Sequence, residues 1–198
     1  MKYAVTTAPS TEPVTLADAK VHLRTVTGDT SEDAAVITPL IQAAREYCEN
    51  VTGRALAAQT IKAYPDSWGL WRMPRPPFST ITSIKYYDVD DTEYTLAVTD
   101  YQVDAVDGQV SILEEPGVEL RVLNPIVVEY AAGYTTGNTL PAAVRQAMLL
   151  LIGHWYTNRE AVGVAGLDIA RSMRVGHVSR EVDLSVARLL SQYKVWWC

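Results

Sequence analysis

The stretch LPAAVRQAMLLLIGHW, from Leu140 to Trp155, decides the fold of this chain. Thr139 or Leu140 stands at the cap position. Pro141 suits the first turn, whose N–H groups have no partner inside the helix in any case. Val144, Ala147, Met148, Leu151, Ile152 and Trp155 then recur at helical spacing as one stripe. Leu149 and Leu150 add a second apolar face, and a helix apolar on two sides is buried on two sides. Either this is the central helix of its domain, or its second face meets a neighbouring subunit.

Working back toward the start, Pro9 and Pro13 keep residues 1–14 extended. Thr15 can cap a short helix whose Asp18 answers as in a capping box, with Leu16, Ala19 and Leu23 on one side. Gly28 is expected to end it. Ser31 opens a second helix, striped by Val36, Ile37, Leu40, Ile41, Ala44, Tyr47, Cys48 and Val51, with Pro39 in its early part and Gly53 as its C-cap. Forward of the central stretch, residues 160–182 show no clean period and read as a loop. Asp183 caps a last helix, from Leu184 to about Gln192, with Leu184, Ala187 and Leu190 facing inward.

Between these helices the period changes to two. Residues 81–87, 93–98, 101–105, 109–113 and 126–131 alternate as strands. Pro74, Pro76 and Pro77 punctuate the entrance, Asp107-Gly108 marks a hairpin, and Asp88 to Asp91 a further turn. The pattern is α+β: a small, mainly antiparallel helical domain of about four helices (1–54 and 132–198), with an inserted antiparallel β-sheet module (55–131).

The 198 residues carry 17 Lys and Arg against 23 Asp and Glu, a net charge of −6. A protein that wraps nucleic acid needs a basic face, and none stands out. Two cysteines, Cys48 on a core stripe and Cys198 at the end, make no disulfide framework and point to a reducing, cytoplasmic setting. The first residues lack an apolar signal core, and the longest apolar run, 147–153, is far short of the ~20 residues that cross a bilayer.

Chemistry is sparse. His22, His154 and His177 lack the partners of a general base or a metal ligand. No nucleophile elbow, P-loop or dinucleotide turn occurs, and Gly163 to Gly166 follows a helix rather than a strand. Asp88, Asp90 and Asp91 could hold a divalent cation, yet they lack the glycine and closing glutamate of a calcium loop and read better as a solvated turn. No catalytic residue, metal ligand or cofactor is assigned. Trp196-Trp197 is more telling, because two tryptophans at a chain end either fold back on their own core or anchor in a partner's pocket.

Several segments together resemble the head–tail connector (adaptor) proteins of tailed phages and gene transfer agents. They are Val14 to Arg24; Glu49 to Arg54 as E-x-x-x-G-R; Pro74 to Pro77 leading to Ile81 to Asp88; Leu140 to Ala147 followed by His154 to Ala161 as H-W-Y-x-N-R-E; and Leu189 to Trp196. The family often has a proline before the last helix, where Glu181 to Asp183 stand here.

The resemblance implies a virion neck protein, assembled in the host cytoplasm. It would form a ring, expected to be a dodecamer, under the portal protein and carry tail or stopper proteins on its other side. DNA would be passing cargo only, and no membrane would be involved. Tyr193, Val195, Trp196, Trp197, Arg171, Arg174, Leu149 and Leu150 are the expected partner-binding residues. A stopper or other tail-completion protein is the alternative, and a small metal-dependent hydrolase or a DNA-binding regulator fits less well.

Overall fold

A computed structural model describes residues 1–25, 31–105, 107–135, 139–158 and 184–196, without the side chains of 31–33. It contains two compact units, Met1–Thr11 with Gly53–Asn138 and Trp196–Cys198, and Glu12–Thr52 with Thr139–Val195.

The second unit is helical. Helix α1 spans Leu16–Leu23, and its capping box forms as the sequence implies. Asp18 N–H donates to Thr15 Oγ1 at 3.1 Å, and Thr15 N–H returns to Asp18 Oδ2 at 3.2 Å. Arg145 Nη2 lies 2.9 Å from the same carboxylate. The Thr15 bond first, then Arg145, hold the Asp18 pKa below its ordinary 3.8. Gly28, outside the described residues, does not end this helix. Arg24 does, at φ 54°, with Arg24 N–H on Val21 O and Thr25 N–H on Lys20 O, both 3.3 Å. That is a Schellman motif, here formed without glycine.

Helix α2 spans Ser31–Thr52 and runs on through Pro39. The expected stripe is buried at Ile37, Ile41, Ala44 and Cys48, while Tyr47 is 40% exposed and meets Trp155 edge-on at 6.3 Å. The same face also buries two charges that the apolar reading passes over. Arg45 is 7% exposed and Glu49 3%. Arg45 Nη1 donates to Glu49 Oε2 at 3.0 Å, and Arg45 Nε to Glu12 Oε2 at 2.9 Å. Glu12 thereby ties the extended segment before α1 to the flank of α2.

Helix α3, Ala142–Thr157, buries Val144, Ala147, Met148, Leu149, Leu151 and Ile152. Its cap is Pro141, not Thr139 or Leu140. The proline ψ of 136° is still extended, and its carbonyl takes the N–H groups of Val144 and Arg145. The missing Cβ of Gly153 leaves room for the His22 ring, which an added carbon would meet at 3.4 Å. A last helix, α4, is described over 184–191. Its inward face is Val186 and Leu190, one turn apart; Leu184 and Ala187, expected inside, are exposed.

The other unit holds two sheets rather than one. Strands β1 (Lys2–Thr7), β2 (Gln59–Tyr64), β3 (Leu70–Arg72), β4 (Phe78–Tyr87), β5 (Glu93–Thr95), β6 (Tyr101–Asp104), β7 (Gln109–Ile112) and β8 (Ile126–Ala132) pair antiparallel throughout. Their orders are β1-β2-β8-β4-β5 and β3-β7-β6. The run expected over 93–98 stops as a strand at Thr95, and a 3₁₀ turn, Val98–Asp100, follows.

Both sheets fill one core, with Ile61, Ile84, Ile126, Val128 and Tyr130 from the larger and Trp71 and Val110 from the smaller. Strict alternation along β2 and β8 sets the inward face. The Asp107-Gly108 hairpin forms between β6 and β7 with Gly108 at φ +63°.

The proline-rich entrance serves as an acceptor strap. The carbonyls of Pro74, Pro76 and Pro77 take the Tyr130 hydroxyl and the N–H groups of Ala55 and Gly133. No helix of the described residues is long and apolar enough to cross a membrane.

Two stability predictions follow from this packing. Arg45→Ala takes the guanidinium away from the buried Glu49 carboxylate and from Glu12, and is expected to cost about 3 kcal/mol. The paired change Arg45→Met with Glu49→Leu recovers most of that loss, as read from urea unfolding midpoints. Gly133→Ala drives a Cβ to 2.0 Å from the Ala57 carbonyl at φ +106°, so a loss of at least ~2 kcal/mol is expected. Gly117→Ala, where the added carbon meets nothing within 4 Å, serves as the near-neutral control in the same thermal melts.

Candidate assembly surfaces

The described residues bring no reaction centre together. No group of three His, Cys, Asp or Glu side chains among them could hold a metal ion. The Asp88 turn is saturated by itself. Asp88 Oδ1 takes the N–H groups of Asp90 (2.9 Å) and Thr92 (2.8 Å), and Oδ2 takes the Tyr94 hydroxyl (3.2 Å). These bonds, the Thr92 backbone first, lower the Asp88 pKa. Both carboxylate oxygens of Asp88 are thus engaged inside its own turn.

A shallow concavity of about 460 Å³ lies on the three-stranded sheet. Leu70, Gln102, Val103, Asp104, Ala105, Gln109 and Ser111 line it, with Asp104 as the one ionisable side chain of that lining. His154 has a structural task. Asn158 takes its carbonyl oxygen with both backbone N–H (3.0 Å) and side-chain amide (2.9 Å), closing the C-terminus of α3. Trp155 is set against Tyr47.

Of the eight expected partner-binding residues, Trp197, Arg171 and Arg174 lie outside the described residues. The other five divide. Val195 is buried, and its N–H donates to Thr52 O at 2.7 Å, which pins the chain end to the last residue of α2. Leu149 is buried, while Leu150 and Tyr193 are half-buried. Trp196, one residue past the pinned Val195, is 79% exposed. The tail thus folds back at Val195 and leaves Trp196 exposed.

A second exposed feature has no counterpart in the sequence reading. Val122 is 93% exposed and Leu123 76%, in the segment between β7 and β8. Arg121 braces them. Its guanidinium donates to Asn124 O through Nε (3.3 Å) and Nη2 (2.9 Å) and to Asp91 Oδ1 through Nη1 (3.1 Å), and it stacks over the Tyr87 ring at 3.9 Å. The signal was present as two adjacent aliphatics between an arginine and an Asn-Pro pair, but no periodicity marks it.

Among the described residues, Trp196, Val122 and Leu123 are apolar side chains left largely in water on a folded frame. The family model of the head completion protein matches residues 15–170, so the chain belongs to that family, and its role is structural rather than enzymatic. This bears out the connector resemblance read from the sequence. Among curated proteins none matches.

Solved structures do. A chain in the neck of an empty gene transfer agent particle, computed with C6 symmetry, is similar at TM-score 0.72 and 21% identity, over 100% of this chain and 97% of that one. A chain in the virion of a native gene transfer agent particle has TM-score 0.69 and 21% identity over the same shares. One in the neck of a native particle, computed with C12 symmetry, has TM-score 0.68 and 20% identity, again over 100% and 97%. These likenesses fix the fold.

Cys48 tests the inertness of the core directly. Burial first, and then the neighbouring Glu49 charge, push its thiol up to about 12. At pH 8 only about one molecule in ten thousand would carry the reactive thiolate. Iodoacetamide at pH 8 is therefore expected to leave the Cys48 peptide unalkylated in the native protein and fully alkylated in guanidinium, as read by peptide mass.

Proposed function

We propose that this chain is a neck adaptor: a ring of copies, twelve in the particle, that sits under the capsid portal, carries the tail-side or stopper proteins, and lets DNA pass through its channel. The observation that carries this reading is the end-to-end likeness to chains in gene transfer agent necks, two of them computed with ring symmetry. Family membership supports a head-completion step. The acidic balance supports a lumen that does not grip DNA, since a surface without net positive charge gains little from counterion release.

In this reading the helical residues are the connector body and residues 55–131 of the sheet unit are an insertion, to which β1 adds an edge strand from the start of the chain. The chain leaves the helical unit at Gly53 and returns to it at Thr139. The insertion lies on the outer or tail side, because an antiparallel sheet tolerates one wet face. Trp196 is the partner anchor, and Trp197, Arg171, Arg174, Tyr193 and Leu150 are further partner-binding residues. Val195 and Leu149 serve as the internal footing. A ring suits a contact between two different patches of the subunit, which closes when the rotation permits.

Truncation separates footing from anchor. A chain ending at Val195 keeps the bond to Thr52 and is expected to keep the melting temperature of the full chain, while co-sedimentation with portal rings falls at least about tenfold, as loss of an aromatic hot spot implies. Unchanged co-sedimentation would sink the assignment of the tail. Particles assembled without this chain are expected to be filled heads lacking tails; normally tailed particles would sink the adaptor reading itself.

A further inference from the structure

The net charge of the chain is not spread evenly. Between Gly53 and Asn138 there are six basic and twelve acidic residues, which is the whole of the −6. The asymmetry sharpens between Tyr86 and Val128, where ten acidic residues stand against Arg121 alone. Arg121 is spent on Asp91 and on bracing its own turn.

Out of this acidic stretch Val122 and Leu123 project almost wholly into water. Asn124 at φ 48° and the four arginine contacts hold the turn, so these side chains are presented by a built frame. Val89, 58% exposed in the Asp88 turn, belongs to the same cluster, since Asp88 bridges to Leu120 and Asp91 to Arg121.

Two adjacent aliphatics left in water favour a site of contact, and a frame that fixes them lowers the ordering cost of binding. The rim decides the occupant. Asp90 and Glu119 lie in the two segments that the Asp88–Leu120 bridge joins, so the complementary surface is apolar with cations around it. A second copy is the poorer fit, because outside Gly53–Asn138 the chain carries eleven residues of each sign and so has no net positive charge to offer. Nucleic acid is repelled by the same rim.

We propose that Val122 and Leu123, held out by Arg121 within an acidic surround, form a docking knob for another protein of the particle that presents an apolar socket rimmed by Lys and Arg. The proposal rests on the adaptor reading only in placing the chain in a particle.

The test uses assembled particles. A photo-crosslinking residue replaces Leu123 in the otherwise intact chain, and after irradiation the linked peptides are sequenced by mass spectrometry. The expected result is linkage to a different particle protein, at an apolar residue with Lys or Arg beside it, about tenfold above the yield of the same probe at the exposed Val98. The double variant Val122→Asp with Leu123→Asp is expected to melt like the parent chain while the content of that partner in particles falls about tenfold.

Linkage only to another copy of this chain, its arginine-bearing 169–180 stretch included, overturns the proposal. So does no linkage above the Val98 yield, or unchanged partner content in the double variant. Absence of the chain from purified particles overturns the adaptor reading together with this one, whereas its presence without linkage overturns this one alone.

Discussion

The buried contact between Arg45 and its two carboxylates organises the helical unit. Taking three charges out of water is expensive, and a buried ion pair returns that cost only when geometry is good. Here both bonds are about 3 Å, and Glu49 sits one turn on from Arg45 along the same helix. The net stability such a cluster adds is small. Its effect is positional, because only one placement of Glu12 satisfies the guanidinium. That placement fixes the extended lead-in, and with it the Thr15 cap and α1. Asp18 of α1 in turn reaches Arg145 on α3. One cation on α2 therefore sets the register of segments far apart in the chain.

Much of this was legible beforehand, and the parts that were not have a common cause. The capping box at Thr15, the apolar helix after Pro141, the Asp-Gly hairpin and the strands from Ile81 onward are written in local pattern, with a period or a turn residue behind each. The connector family was legible too, from the order of modest motifs. What local pattern could not show was long-range pairing. β1 reads as merely extended until it finds β2, β3 is three residues long, and the division into two sheets depends on which strands meet. Arg45 was hidden because the stripe was read for apolar residues alone. Arg24 could stand in for glycine because two backbone bonds secure the left-handed turn.

Of the candidate site, the sequence singles out the tail without resolving which of its residues goes inside. Burial resolves it. Val195 belongs to the interior and Trp196 to the surface. The Val122-Leu123 pair was missed for a different reason. Exposure of a loop aliphatic is decided by the backbone around it, and here by contacts from Arg121 to residues 30 positions earlier. No window of sequence contains both halves of that arrangement.

The two exposed features share a physical design. An apolar side chain on a slack segment gains little from a pocket, because ordering the segment offsets the burial. In each case here a polar anchor stands beside the apolar residue: the Thr52 carbonyl holds the backbone before Trp196, and the Arg121 guanidinium holds the turn that carries Val122 and Leu123. Ordering is done at folding, so more of the burial is left for association. A protein that joins others gains most from those exposed apolar groups whose backbone is already fixed by a bond made inside.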